Sequence, residues 1–324
     1  MHNDLIKNLC VSDKRSVARS ISIVESNNNA SAELLKKIFP KIGNAHRIGI
    51  TGPPGAGKST ITNQLTKYYR KQNKKVGIIA VDPTSPFTGG ALLGDRVRMS
   101  EIGQDQGVFI RSMATRGSLG GLSNRAVDAA DVLDAAGYDY IIMETVGVGQ
   151  SELDIAQAAD TTIVVLVPES GDAVQAMKAG LMEIADFFVM NKCDRPGAQQ
   201  AIASLQTILM MREHDEKSWM YKIISTIATE NKGIDNLAEE IERHTEYLKM
   251  NNLLLKRREE KTMSRIKDIV ENILKNDLWN ESEENSLTLF LEKVVLGKIS
   301  PYNIAEEIIK NFKNRKLKQN SHKD

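Results

Sequence analysis

Eight consecutive residues, Gly52-Pro53-Pro54-Gly55-Ala56-Gly57-Lys58-Ser59, combine glycine-rich backbone with one cation and one hydroxyl. Their spacing fits G-x-x-x-x-G-K-[ST]. They follow the apolar run "RIGIT" and open a helix-like run, the context in which this pattern cradles phosphates. The glycines let successive N–H groups turn inward without Cβ clashes, and the helix start adds its free donors. Lys58 would neutralise the β and γ phosphates, the Ser59 hydroxyl would ligate Mg²⁺, and Thr60 is placed to reach the α phosphate. The chemistry is the binding of a nucleoside triphosphate.

A second group selects the base. Asn191-Lys192-Cys193-Asp194 follows the apolar run "DFFVM" and has the form N-K-x-D. A carboxylate at Asp194 can accept from both N1–H and the exocyclic amine of guanine. Adenine lacks that donor pair and would leave the carboxylate unpaired. Asn191 is placed to reach the other edge of the base, and the Lys192 stem to pack across it. Thr226-Ile227-Ala228 supplies the last loop, with the Ala228 N–H directed at the guanine oxygen. Ile227 stands where many GTPases have Ser, but the contact is a main-chain one. GTP is favoured over ATP.

Two acids end apolar runs where a metal–phosphate site would form, Asp82 after "KVGIIAV" and Glu144 after "YIIM". Glu144-Thr145-Val146-Gly147 reads E-x-x-G, so that Gly147 can offer its N–H to the γ phosphate and Glu144 can hold Mg²⁺ through water. Between the two acids, Thr84, Thr88, Gly89, Gly90 and Asp95 suit a loop that closes over phosphate and metal. Val148 and Gly149 follow Gly147, where many GTPases place a glutamine, so hydrolysis by the chain alone is expected to be slow.

These groups require a scaffold of strands. "HRIGITG", "KVGIIAVD", "GVFIRSM", "DYIIMETVG", "TTIVVLVP", "DFFVMNK" and "YKIISTIA" are short and near-continuously apolar, alternating with helical segments. That texture predicts an α/β fold with a mostly parallel sheet flanked by helices. Three zones are expected: an N-terminal helical extension over 1–44, a nucleotide-binding domain over 45–233, and a charged, amphipathic helical region over 234–324. In the first zone the asparagines at 27–29 break a helix and Ser31 is expected to cap the next.

Composition excludes several classes. The 324 residues carry 43 basic and 42 acidic side chains, a formal net charge of +1, so no global field favours nucleic acid or an anionic membrane. Cys10 and Cys193 are far apart, and the five histidines show no metal-ligand spacing. The longest apolar run, "TTIVVLVP", is too short to span a bilayer, and the N-terminus lacks a signal-peptide core. A cytoplasmic protein is expected.

Taken in order, "GITGPPGAGKST", "VDPTSPFTGGALLGDRVRM", "ETVGVGQSE", "VPESGDAVQAMKAG" and "NKCD" resemble the MeaB/ArgK-type GTPases. The similarity runs through "ISPYNIAEEII", essentially the full chain. The resemblance implies a P-loop GTPase that escorts an adenosylcobalamin-dependent acyl-CoA mutase, methylmalonyl-CoA mutase or a close relative. It implies Mg²⁺-linked roles for Ser59, Asp82, Asp95 and Glu144, and a partner-responsive catalytic role for Lys178. It also implies a homodimer built through the C-terminal helices. Cobalamin is expected to belong to the mutase, not to this chain. A kinase linked to basic amino-acid transport and a metal-delivery GTPase are the competing readings.

Overall fold

The computed structural model describes residues 2–26, 29–83, 100–115, 121–145, 151–169, 180–211, 219–279 and 281–320. The chain forms two compact units, residues 1–258 and 259–324. All seven apolar runs expected as strands are strands: β1 His46–Thr51, β2 Val76–Pro83, β3 Val108–Thr115, β4 Tyr140–Thr145, β5 Thr161–Leu166, β6 Phe187–Met190 and β7 Ile223–Ser225. They form one sheet in the order β3-β2-β4-β1-β5-β6-β7, and every pairing is parallel. Parallel strands need crossovers that cover both faces, which is why these runs are apolar on both sides. Ile48 and Ile50 face one hydrophobic cluster, with Leu65 and Ile241, while Ile79, Ile141 and Met143 face another.

The helices follow as α1 His2–Cys10, α2 Lys14–Glu25, α3 Asn29–Ile38, α4 Lys58–Lys71, α5 Gly121–Ala135, α6 Ser151–Ala158, α7 Ala198–Met210, α8 Ile234–Met250 and α9 Leu253–Leu278. The N-terminal helices are packed into the first unit: Val17, Ile21 and Val24 of α2 share a core with Ala129 and Leu133 of α5. Ser31 is not a cap. It lies within α3, buried, with its hydroxyl directed at Val24 O of the preceding helix at 3.5 Å. The first of these helices ends at Glu25 with Ser26 as its cap and α3 starts at Asn29, which places the helix start ahead of Ser31. The second unit contains the rest of α9, then α10 Glu281–Val295 and α11 Pro301–Asn320.

An aspartate stands immediately before each of β4, β5 and β6 and accepts the backbone N–H of a neighbouring segment. Asp139 Oδ2 takes Lys75 N at 2.7 Å, Asp160 Oδ2 takes Arg47 N at 3.1 Å, and Asp186 Oδ2 takes Thr162 N at 2.8 Å. The last two belong to a buried polar network at the N-terminal ends of the strands. Arg258 grips Asp160 with two bonds (Nε–Oδ1 3.0 Å, Nη2–Oδ2 2.7 Å), and Arg257 Nη1 reaches Asp186 Oδ1 at 2.9 Å. Between them Thr161 Oγ1 sits 2.9 Å from His46 Nε2 and 2.8 Å from His244 Nδ1, and His244 Nε2 lies 3.3 Å from Asp186 Oδ1.

One proton arrangement fits these contacts. Thr245 donates to Ile241 O at 2.8 Å, so at 3.2 Å it accepts from His46 Nε2. His46 Nε2–H then also serves Thr161, which donates to His244 Nδ1, leaving His244 Nε2–H to face Asp186. Burial holds His46 down to about 4, despite the attraction of Asp160, which keeps the ring neutral as the arrangement requires.

Candidate nucleotide site

The phosphate-loop residues lie between β1 and α4, at the C-terminal edge of the sheet. The Gly52 backbone is left-handed, with φ 136°, and a Cβ there would meet Val165 O at 2.1 Å, so only glycine lets the loop leave β1 against β5. Pro54 and Gly55 are exposed at the tip, while Ala56 is buried. Lys58 opens α4 and is buried. Its Nζ donates to Gly52 O at 2.8 Å and Pro53 O at 2.9 Å, which holds the ammonium on the inner side of the loop. Thr60, two residues on, is half-buried.

Glu144, the penultimate residue of β4, stands beside the loop, in register with Ile50 of β1, and is buried. Both of its oxygens are held from α4: Ser59 Oγ donates to Oε1 at 2.5 Å, and Thr62 Oγ1 donates to Oε2 at 2.9 Å. Next to it, Thr145 Oγ1 donates to Thr51 Oγ1 at 3.1 Å, tying the ends of β4 and β1 together. Asp82 lies in β2 in register with Ala114 of β3. Asp95, Gly147 and Lys178, with Thr84, Thr88, Gly89 and Gly90, lie outside the described residues.

Asn191 follows β6 and is buried. Its Nδ2 donates to Ala56 O of the phosphate loop at 2.8 Å. Its Oδ1 accepts from Thr226 Oγ1 at 3.0 Å and from Ala228 N at 3.1 Å. One side chain thus joins the phosphate loop to the last loop. Lys192 takes a left-handed φ of 59°, turning the chain so that Asp194 is exposed. The Ile227 position is closed by an antiparallel bridge to Lys232, with backbone bonds of 3.1 and 3.2 Å.

Two side chains that the sequence reading passed over also belong to the site. Thr62 lies three residues beyond Ser59, on the same face of α4, a spacing that could have flagged it. Gln64 Nε2 donates to Ala228 O at 3.2 Å and supports the last loop from α4.

A family model described as methylmalonyl-CoA mutase-associated GTPase MeaB matches residues 17–283. The chain belongs to the MeaB family. Among its relatives is a Pyrococcus abyssi protein named provisionally as a GTPase, 47% identical over 314 residues, 96% of this chain and 97% of that protein. The Escherichia coli GTPase ArgK is 40% identical over 242 residues, 72% of each chain. A crystal structure titled LAO/AO transport system kinase superposes with a TM-score of 0.72 at 28% identity, covering 96% of this chain and 97% of that one. The parallel sheet and phosphate loop are therefore those of a P-loop GTPase.

Membership of the MeaB family implies a guanine nucleotide and, with it, Mg²⁺. The donor set fits that ion. The Ser59 proton is taken by Glu144 Oε1, so the hydroxyl lone pairs remain to face a cation, and both groups are hard oxygen donors. Among the described residues no cluster of three or more His, Cys, Asp or Glu forms a separate metal site. No helix among them is long and apolar enough to cross a membrane.

Proposed function

We propose that this MeaB-family protein binds GTP with Mg²⁺, hydrolyses it slowly alone, and uses the cycle to gate adenosylcobalamin loading into an acyl-CoA mutase and protect it. The observation that carries the nucleotide reading is Asn191, which brings the phosphate loop and the Ala228 loop together at one edge of the sheet. In this reading the N–H groups from Gly55 to Ser59, beyond the two prolines that have none, cradle the phosphates, Lys58 neutralises charge, and Asp194 reads guanine. Ser59, Glu144, Asp82 and Asp95 act toward Mg²⁺, Gly147 toward the γ phosphate, and Lys178 completes catalysis when the mutase binds. The mutase assignment is supported by the family's own description. Methylmalonyl-CoA mutase or a close relative is the partner, and cobalamin stays with it.

The chain acts as a homodimer through its C-terminal helices. Met263, Ile266, Val270 and Ile273 recur at helical spacing on α9 and are each about half exposed or more, an apolar stripe that a second copy would cover. Nucleotide would couple to the partner only through different affinities of the GTP and GDP states for it.

The test is GTP hydrolysis by the full chain with Mg²⁺, measured with and without purified candidate mutases. Slow turnover that one mutase accelerates supports the reading, whereas no binding or acceleration by any of them sinks the chaperone role and leaves the GTPase. Asp194→Asn should move base preference from guanine toward xanthine nucleotides by about 100-fold, because its amide would donate to the xanthine C2 carbonyl. Unchanged preference would remove Asp194 from base recognition. Transfer of labelled γ phosphate to a second protein instead of water would favour a kinase.

A further inference from the structure

We infer that Thr62 is a positioning residue for the metal and phosphate chemistry of this site, acting through Glu144. No assigned role falls on Thr62, yet it is fully buried and its one hydroxyl proton goes to Glu144 Oε2 at 2.9 Å. Ser59, one helical turn earlier, gives its proton to the other oxygen at 2.5 Å. The carboxylate is therefore held at two points, both from the first turn and a half of α4. The division of labour between them differs. Ser59 is the group that would share its lone pairs with the cation. Thr62 has no such second task, and its backbone carbonyl accepts Thr66 Oγ1 at 2.7 Å, which fixes that turn of the helix from below.

Glutamate has one more rotatable bond than aspartate, so a strand-end Glu144 needs a second restraint to present one chosen oxygen. Thr62 supplies it by holding Oε2, which leaves Oε1 toward Ser59 and the cation site. Losing an outer-shell partner of a bound metal typically costs about 10- to 100-fold in affinity; Glu144, which meets the cation through water, is such a partner, and Thr62, which holds it in place, is expected at the low end of that range. This inference rests on the Mg²⁺–GTP reading above.

The experiment follows release of a fluorescent GDP analogue from the full chain while Mg²⁺ is varied, with metal-free release measured in chelator. For Thr62→Val, which keeps the shape and removes the donor, the Mg²⁺ needed for half-maximal slowing of release should rise by about tenfold. The metal-free release rate should change by no more than about twofold, since no phosphate contact is lost. Thr62→Ser should restore the wild-type Mg²⁺ response. A packing role alone would instead shift metal-free release and melting temperature together and leave the Mg²⁺ midpoint in place. An unshifted midpoint in Thr62→Val, or a shift in Thr62→Ser equal to it, overturns the assignment. Should Thr62→Val not fold, Thr62→Cys, a weak donor of similar size, is compared with Thr62→Ser, and equal midpoints in those two also overturn it. If wild-type chain does not bind the analogue, or Mg²⁺ leaves its release untouched, the nucleotide reading fails first and the role of Thr62 falls with it.

Discussion

The two ends of the sheet are both polar and both buried, yet they are built for opposite ends. At the N-terminal edge, His46, Asp160, Thr161, Asp186, His244, Arg257 and Arg258 meet one another through their side chains. At the C-terminal edge, side chains hold loops in place, and in the GTP site proposed above the groups left for the ligand are backbone N–H donors beside left-handed glycines. Buried polarity alone therefore does not mark a site here. What marks it is polarity used to hold backbone donors ready.

The largest effect that would sharpen this contrast is expected from Asp160→Ala. It removes the carboxylate that takes two bonds from the half-buried Arg258 and one from Arg47 N, and should cost about 3 kcal/mol of stability in denaturant unfolding. Guanine nucleotide affinity of the folded fraction should stay within about twofold, since no loop residue is touched. A large affinity loss would show that the two ends are energetically one. Next comes Asn191→Ala, which removes three hydrogen bonds that join the loops. It should weaken GTP and GDP binding by about 100-fold in a fluorescent-nucleotide titration, with a smaller stability loss of roughly 2 kcal/mol.

Acid should act on the closed end first. Burial, against the pull of Asp160 and with the repulsion of His244, Arg258 and Lys249, lowers His46 from 6.5 to about 4. Between those values the unfolded chain binds the proton and the folded chain does not. Stability is thus complete above about 6.5 and falls as pH drops toward 4, by roughly 3 kcal/mol. His46→Gln should flatten that slope in melting curves taken across the window. Asp160 extends the loss at lower pH: burial pushes it up, but the Arg258 bonds and charge prevail and hold it at about 2. Its share is present above 3.8 and lost as pH falls toward 2. The smallest effect belongs to the exposed Lys67–Glu101 pair at 2.6 Å, where Lys67→Ala should change stability by no more than about 0.5 kcal/mol.

The two ends also differ in how far the sequence disclosed them. The phosphate loop is eight adjacent residues, and N-K-x-D is four, so each pattern is local and carries its chemistry on its face. The parallel sheet was legible for the same reason, because each strand is a contiguous apolar run. The closed end is assembled from positions separated by up to about two hundred residues, His46 and Thr245 among them, and each is ordinary in its own neighbourhood. His46 and His244 looked scattered because only the folded β1, β5 and α8 bring them to one threonine. Asn191 was legible as a base-loop residue, but its bond to Ala56 was not, since that depends on how closely β6 approaches the loop after β1. Thr62 lies between these cases: its spacing from Ser59 was visible, but its meaning required the end of β4.

The left-handed turn at Gly57 carries a consequence for anyone who would redesign this pocket. A Cβ there would lie 2.3 Å from Asn191 Nδ2, so this glycine of the phosphate loop is the seat of the asparagine that also holds the Ala228 loop. In the GTP site proposed above, grip on the triphosphate and choice of base are thus a single mechanical part, and they cannot be retuned one at a time through Asn191 or Gly57. Under that proposal, a chain engineered for another nucleobase is best edited at the exposed Asp194, the position that stands clear of this shared joint.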